Sequence, residues 1–354
     1  MRILIIKISS MGDLIHTLPA LSDATQINHA IQFDWVADRS FADIPKWHPA
    51  VNQVITTAHR YWKANVFSKK TWDEFIAFKR QLQLSKYDLV IDAQSSLKSA
   101  LITHMAKGLR CGLDRQTVRE FGAHWFYQRQ YHVSRDQHPI NHLRQLFATV
   151  LGYSCPETPP TFSINLDQQS TLLLPSFPKK SLLFIYNTSR KIKEWPQTHW
   201  KILINLVQEA GYTVLLPWGN TLEKKYAQQI ADQQPHVIVL PKLSLTQLAL
   251  ILKKVQGTVG GDTGLSHLAA AVGTPSVTLY GPTDGYRIGA IGPKQLNLMA
   301  NFPCAPCYRK QCNYQQSVLS SQKPACLFQL SPQLVWEKLQ TLINPALEDD
   351  LEAY

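Results

Sequence analysis

Val259-Gly-Gly-Asp-Thr-Gly-Leu-Ser-His-Leu-Ala-Ala-Ala271 is the stretch around which the rest of the chain can be read. It continues a short apolar run and opens into a pattern of small residues suited to a helix. Gly260 and Gly261 are expected to let the backbone turn, with Asp262 as helix N-cap and Thr263, Gly264 and Leu265 in the first turn. Backbone N–H groups there have no intrahelical acceptor and lie at the positive end of the helix dipole. Gly264 leaves room for a bulky anion, so the turn suits a phosphate or pyrophosphate. Asp-Thr-Gly alone would describe any capped helix. Ser266 and His267, adding side-chain donors, and a second strand–turn–helix at the N-terminus turn the balance toward an anion site.

Outward from this turn, apolar runs alternate with helical patterns. Strands are expected over Arg2–Ile8, Gln32–Ala37, Gln53–Thr57, Tyr87–Asp92 and Leu109–Leu113, with helices around 14–29, 71–85, 95–107 and 138–152. A second series follows, with strands Leu182–Tyr186, Thr213–Pro217, Val237–Leu240, Gly257–Gly260 and Ser276–Tyr280. Its helices lie near 197–210, 221–233, 244–254, 263–272 and 331–343. Runs such as Leu89-Val-Ile-Asp-Ala93 are apolar on both faces, as parallel strands covered by helices require. The fold class is therefore α/β, with two Rossmann-like doubly wound domains expected to face a central cleft. Prolines punctuate 153–180. The expected division is a first domain over 1–160, a linker over 161–180, a second domain over 181–330, and a terminal helix and acidic tail over 331–354.

The bulk numbers bound the function. With 354 residues, 45% hydrophobic and 17% charged, the chain reads as globular and is long enough for two cores. No apolar run is long enough to cross a bilayer, and Met1–Ile8 reads as a buried strand, not a signal peptide, so a cytoplasmic location is expected. The net charge is +11, and the first 150 residues hold 19 Lys and Arg against 12 Asp and Glu. Such an excess draws nucleic acid, anionic membrane or an acidic substrate. No nucleic-acid-binding signature accompanies it, and no nucleic-acid partner is expected. Of six cysteines, Cys304, Cys307, Cys312 and Cys326 share one stretch. Cys304-Ala-Pro-Cys307 has a spacing that zinc sites use, but the spacing beyond it is irregular and no metal is expected.

Three further turns carry chemistry. Lys7-Ile-Ser-Ser-Met-Gly-Asp-Leu-Ile-His16 is neither GxGxxG nor a GxxxxGK[ST] loop, so a dinucleotide cofactor is not supported. Gly12 is expected to make the turn and Asp13 to open the helix, either as its cap or as a carboxylate able to take a proton from a hydroxyl. Thr188-Ser-Arg-Lys-Ile-Lys-Glu-Trp-Pro196 places three cations before a helix, as a phosphate site or a solvated loop would. In Pro217-Trp-Gly-Asn-Thr-Leu-Glu223, a Glu can accept from both ribose hydroxyls or merely sit in a helix's first turn.

Lys7 to Leu21, Asp92-Ala-Gln94, Lys193-Glu-Trp-Pro196, Pro217-Trp-Gly219, Gly261-Asp-Thr-Gly-Leu-Ser-His267 and Tyr280-Gly-Pro-Thr-Asp284 occur in the order found in bacterial lipopolysaccharide heptosyltransferases. The chain resembles that family over nearly its whole length. Ser9-Ser-Met-Gly-Asp13, Phe33-Asp-Trp35 and Leu113-Asp-Arg-Gln-Thr-Val-Arg-Glu120 bring it closest to the heptosyltransferase I branch. The resemblance implies a GT-B glycosyltransferase, inverting and without an obligatory metal or cofactor. Its donor would be ADP-heptose and its acceptor the inner Kdo of Kdo-lipid A, at the cytoplasmic face of the inner membrane.

Carried over by position, Asp13 is the general base. Thr263, Gly264 and His267 hold the diphosphate, Lys193 adds charge, Glu223 holds the ribose, and Asp262 contacts the heptose or positions the loop. Ser10, Gly12 and Thr188 join the donor-binding set. The first domain then binds the acceptor and the second ADP-heptose. His59-Arg-Tyr-Trp-Lys-Ala-Asn-Val-Phe-Ser-Lys-Lys70, with four Lys or Arg and no acid, suits a phosphorylated acceptor. Arg60, Lys63 and Arg119 are its expected contacts, and the stretch from Arg60 to Lys70, without a clear period, is expected to be mobile until the acceptor binds. The cysteine stretch 303–326 looks more like other branches, including heptosyltransferase II. The competing readings are therefore a heptose-to-heptose transferase and, outside the class, a nucleotide-sugar epimerase. A basic surface binder without enzyme activity is a further, weaker alternative.

Overall fold

A computed structural model describes residues 1–167, 171–314 and 324–344. The chain divides into two compact units, Met1–Asn165 and Leu166–Tyr354. The acidic run Glu348–Glu352, expected as a tail, lies outside the described residues.

The first unit holds strands β1 (Arg2–Ile6), β2 (Gln32–Asp38), β3 (Val51–Thr57), β4 (Lys86–Asp92), β5 (Lys107–Leu113) and β6 (Arg129–Tyr131). They form one sheet in the order β3-β2-β1-β4-β5-β6, with every pair parallel. Ile3, Leu4, Ile5 and Ile6 have no exposed surface, because β1 lies between β2 and β4 with its side chains buried on both faces. The strand order reverses between β1 and β4, so the segments after these two strands diverge there. Open α/β sheets bind ligands at such a switch point.

The second unit repeats the design with β7 (Ser181–Ile185), β8 (Thr213–Leu216), β9 (Val237–Val239), β10 (Gly257–Gly261), β11 (Ser276–Tyr280) and β12 (Gln295–Met299). Their order is β12-β11-β10-β7-β8-β9, again wholly parallel. Its switch point lies between β7 and β10, after which come the Thr188–Pro196 and Asp262–Thr263 segments. Phe184, Trp195, Trp200, Leu203 and Trp336 pack in its core, and the terminal helix Pro332–Ile343 belongs to that cluster.

Several local expectations need correction. The helix expected over 14–29 is two helices, Met11–Ile15 and Leu18–Ile27; Pro19, lacking an N–H, stands in the first turn of the second. The edge strands β6 and β12 were not anticipated; β6 is mostly exposed and β12 only partly buried, so their patterns lack the apolar runs of central strands. Gly260 and Gly261 lie inside β10 and do not make a turn. Their lack of a side chain serves close approach: a Cβ on Gly260 would stand 2.8 Å from Ile185 Cβ, and one on Gly261 2.9 Å from Thr188 Cγ2. The stretch from Arg60 to Lys70 shows no clear helical period in the sequence, which places the next helical pattern only from about Thr71. Instead His59–Ala64 is a helix and a second, Lys69–Leu84, starts at Lys69. Trp62 holds them together, its Nε1 donating to Glu74 at 2.9 Å and its ring packing on Phe75 and Phe78. Tertiary contact therefore supplies the order that the sequence pattern does not advertise.

Candidate active site

In the second unit, β10 runs directly into the Asp262–Thr263 turn. The N-cap of the following helix, Gly264–Ala271, is Thr263 and not Asp262. Thr263 makes no side-chain cap hydrogen bond, so the first-turn N–H groups are not capped by its hydroxyl. The Ser266 hydroxyl, expected to face a ligand, donates instead to Gly261 O at 2.7 Å and is buried. It braces the turn from below.

Released from capping, the Asp262 carboxylate organises its surroundings. Lys193 Nζ stands 2.5 Å from Oδ2, Thr283 Oγ1 donates to the same oxygen at 2.7 Å, and His267 Nε2 lies 4.0 Å from Oδ1. Asp262 and His267 are buried, and Lys193 keeps only 15% of its side chain exposed. Burial, then the nearby Asp262 charge, pushes the Tyr280 phenol up. Lys193 ends a short 3-10 turn, Lys191–Lys193, at the far end of a loop closed by Thr188, whose Oγ1 donates to Arg190 O at 2.7 Å. Trp195 anchors the loop through Nε1 to Leu330 O at 3.0 Å. A lysine, an uncapped helix N-terminus and a buried histidine thus meet at one switch point, which is an anion-binding arrangement.

Glu223 lies in the first turn of the helix Thr221–Ala231. Its Oε2 accepts from Gly219 N–H at 2.6 Å and its Oε1 from Asn220 Nδ2 at 2.7 Å, while Asn220 caps the helix. Each carboxylate oxygen keeps a further lone pair for a ligand hydroxyl. Glu223 is also close enough to raise the half-buried Glu194 carboxyl, whose largest cause is burial, so the ribose candidate and the Lys193 loop are neighbours.

In the first unit the turn after β1 also departs from expectation. Ser10 is the N-cap of the helix Met11–Ile15; Gly12 lies inside that helix, and Asp13 is its third residue, not its cap. Ser10 N–H and Ser10 Oγ both donate to Asp13 Oδ2 at 2.8 Å, half of a reciprocal capping box. Lys7 Nζ, buried and donating to Ala93 O at 2.8 Å, lies 3.8 Å from Asp13 Oδ1. Burial alone would raise the Asp13 carboxyl. Lys7, the two Ser10 hydrogen bonds and Arg119 outweigh it and hold the group below its ordinary value, so it is ionised at neutral pH. Gln94, after β4, accepts the N–H groups of Ile8 and Ser9 at 2.7 and 3.2 Å and fixes the strand end.

Around Asp13 the acceptor-side candidates separate. Arg119 is close enough to act on Asp13, Lys7 and Lys98. Arg60 stacks over Phe41 at 5.7 Å and acts on Lys98 and His59. Lys63 lies in the last turn of its short helix. Lys98, not among the expected residues, reaches His59 Nε2 at 3.0 Å and joins Arg60 to Arg119; burial, then these two charges, lowers its ammonium. Lys7, Gln94 and Thr283 lie inside the recurring strings and were legible as positions, though not as roles. Lys98 carried no signal.

All six cysteines are free thiols; Cys326 is buried, which pushes its thiol up to about 12. Among the described residues no group of three or more His, Cys, Asp or Glu is placed to hold a metal ion.

The glycosyltransferase family 9 (heptosyltransferase) model matches residues 75–318. The chain belongs to this family. It is 42% identical to lipopolysaccharide heptosyltransferase 1 of Pseudomonas aeruginosa over 97% of this chain and 98% of that protein. Against lipopolysaccharide heptosyltransferase 1 of Escherichia coli K12 it is 45% identical over 84% and 92%. Among solved structures, the E. coli heptosyltransferase WaaC with ADP superposes with a TM-score of 0.85 at 40% identity, covering 97% of this chain and all of that one. WaaC with ADP-2-deoxy-2-fluoro heptose gives 0.80 at 39%, covering 99% and all of that chain. Heptosyltransferase II of E. coli shares the fold at 19% identity and a TM-score of 0.73. The chain is thus a GT-B-class glycosyltransferase, a heptosyltransferase of lipopolysaccharide core synthesis similar to the type 1 enzymes. The cysteine stretch does not shift it to the type II branch. No helix among the described residues is long and apolar enough to cross a membrane.

Proposed function

We propose that this heptosyltransferase moves L-glycero-D-manno-heptose from ADP-heptose to the inner Kdo of Kdo-lipid A, with inversion, while resting on the cytoplasmic face of the inner membrane. The observation that carries the donor side is the Asp262–Gly264 turn, where Lys193 stands 2.5 Å from Asp262 at the head of a helix whose N-cap side chain makes no cap bond. Thr263, Gly264, His267 and Lys193 hold the diphosphate, Asp262 positions the lysine and addresses the heptose, and Glu223 takes the ribose, with Thr188 shaping the loop. The solved relatives with ADP and an ADP-heptose analogue support this donor class.

Asp13 is the general base in this reading, with Ser10 and Gly12 setting its position. Its carboxylate takes the proton of the acceptor hydroxyl as that oxygen bonds to the anomeric carbon. The bond from that carbon to the ADP oxygen breaks with its electron pair, and ADP leaves. Negative charge then grows on the diphosphate, where helix N–H groups and Lys193 stabilise the transition state more than the ground state. Arg60, Lys63 and Arg119 meet the acceptor's carboxylates and phosphates.

A coupled assay for ADP release, run with Kdo-lipid A, with a heptosylated acceptor and with none, tests the proposal. Release with Kdo-lipid A alone is expected. Release with only the heptosylated acceptor would overturn the acceptor, and donor turnover without any acceptor would overturn transfer itself.

A further inference from the structure

We propose that Leu97, Leu101, Phe121 and Trp125 form a built apolar face through which the first unit enters the surface of an anionic bilayer. These residues are 44, 52, 62 and 70% exposed. Leu97 and Leu101 stand one turn apart on the helix Leu97–Met105, and Trp125 lies on the 3-10 turn Ala123–Phe126. Gly122, at φ 92°, brings them together. A Cβ there would stand 3.2 Å from the Trp125 ring and 3.5 Å from Leu97 Cδ2. Phe121 meets Trp125 edge-on, with centroids 5.6 Å apart.

The face is held in place by polar bonds. Glu120 Oε2 accepts Leu97 N–H at 2.9 Å, and Glu120 N–H donates to Ser95 O at 3.0 Å. Exposing four large apolar groups on so well-fixed a frame is costly unless something covers them. Charge chooses the occupant. Arg115 lies over Phe121 at 5.6 Å, Lys98 follows Leu97, and Arg119 precedes Glu120. Basic groups around a Trp-bearing apolar patch match an anionic headgroup layer, where indole prefers the interface and cations find lipid phosphates. Lys98 reaches His59, and Arg119 acts on Asp13, so the face adjoins the acceptor-side residues. The inference rests on the reading that the acceptor is a membrane-embedded glycolipid: docking here would let the enzyme meet it without lifting its acyl chains from the bilayer.

Flotation of the whole protein with vesicles tests this, comparing phosphatidylglycerol–phosphatidylcholine with phosphatidylcholine alone. The wild type should bind the anionic vesicles, and Leu101→Ser with Trp125→Ser should weaken that binding about tenfold or more. Each single variant should fall between. Thermal midpoint, and turnover with a deacylated, water-soluble acceptor, should match wild type in all three. Unchanged flotation of the double variant would overturn the proposal. So would a wild type that ignores vesicles, including one that sediments as a dimer lost in Trp125→Ser, which would make the face a self-association surface. Failure of the wild type to turn over the soluble acceptor would count against the functional reading alone, and the vesicle result would still decide the docking face.

Discussion

Removing Lys193 should separate its work for the ligand from its work for the fold. Lys193 Nζ lies 2.5 Å from Asp262 Oδ2, with side chains only 15 and 7% exposed. In Lys193→Ala the Asp262 carboxylate keeps Thr283 Oγ1 but loses its countercharge. Breaking a buried pair from one side costs about 3–5 kcal/mol, and partial exposure of Lys193 places this case near about 3 kcal/mol. For a unit of this size that is roughly a 6–12 °C fall in thermal midpoint. ADP loses one charge-assisted hydrogen bond, about 1.5–3 kcal/mol, so its dissociation constant should rise about 10- to 150-fold. Adenosine, without phosphates, should bind within about twofold of wild type. Lys193→Ala combined with Asp262→Asn removes both charges while keeping an acceptor for Thr283, and should recover most of the lost stability but not the ADP affinity. Calorimetric titration with both ligands, alongside thermal unfolding, reads all of these quantities. Equal losses for ADP and adenosine, or ADP affinity that returns with stability in the double variant, would show that Lys193 serves only the fold.

Three other outcomes follow from the geometry. Asp13→Asn should keep ADP affinity within about threefold but lower turnover about a hundredfold or more. Because the Asp13 carboxyl is held below its ordinary value, the base form persists down through pH 5, and wild-type turnover should show no acidic limb from it between pH 5 and 8; a limb near pH 6 that vanishes in the variant would refute the electrostatic reading. Arg60→Ser with Lys63→Ser and Arg119→Ser should raise the acceptor Michaelis constant and leave donor affinity unchanged, with high salt acting in the same direction; steady-state kinetics on both substrates decides it. His48, 1% exposed, accepts Ala50 N–H at Nδ1 and contacts Ser22 at Nε2, and burial lowers it to about 4. Between pH 4 and 6.5 only the unfolded chain takes up this proton, so stability should rise with pH across that window by about 3 kcal/mol. Urea unfolding at several pH values should give a flatter dependence for His48→Asn; an equal slope would dismiss His48 as the cause.

The repeating apolar runs, of which Ile3–Ile6 and Leu89–Ala93 are the plainest, determined the parallel doubly wound class, because burial on both faces leaves a continuous hydrophobic record in the chain. The strand–turn–helix at Gly261–Ser266 likewise pointed to the proposed anion site, since a strand end and a helix start are written in neighbouring residues. Roles that depend on partners far along the chain were not legible. Asp262 read as a cap; the fold makes it the seat of Lys193, 69 residues away, and of Thr283, 21 residues away, and puts Thr263 at the N-cap position, where its side chain makes no cap bond. Ser266 read as a ligand donor and is consumed by Gly261 O. Lys98 gained its place only because the helix after β4 packs beside the one after β3, and the helix His59–Ala64 stands on Trp62 contacts made with a later turn of chain. Local periodicity records which way a residue faces. The strand order decides which distant residue it faces, and here that order brings the ends of β7 and β10 together and sets the charges around the Asp262–Thr263 turn.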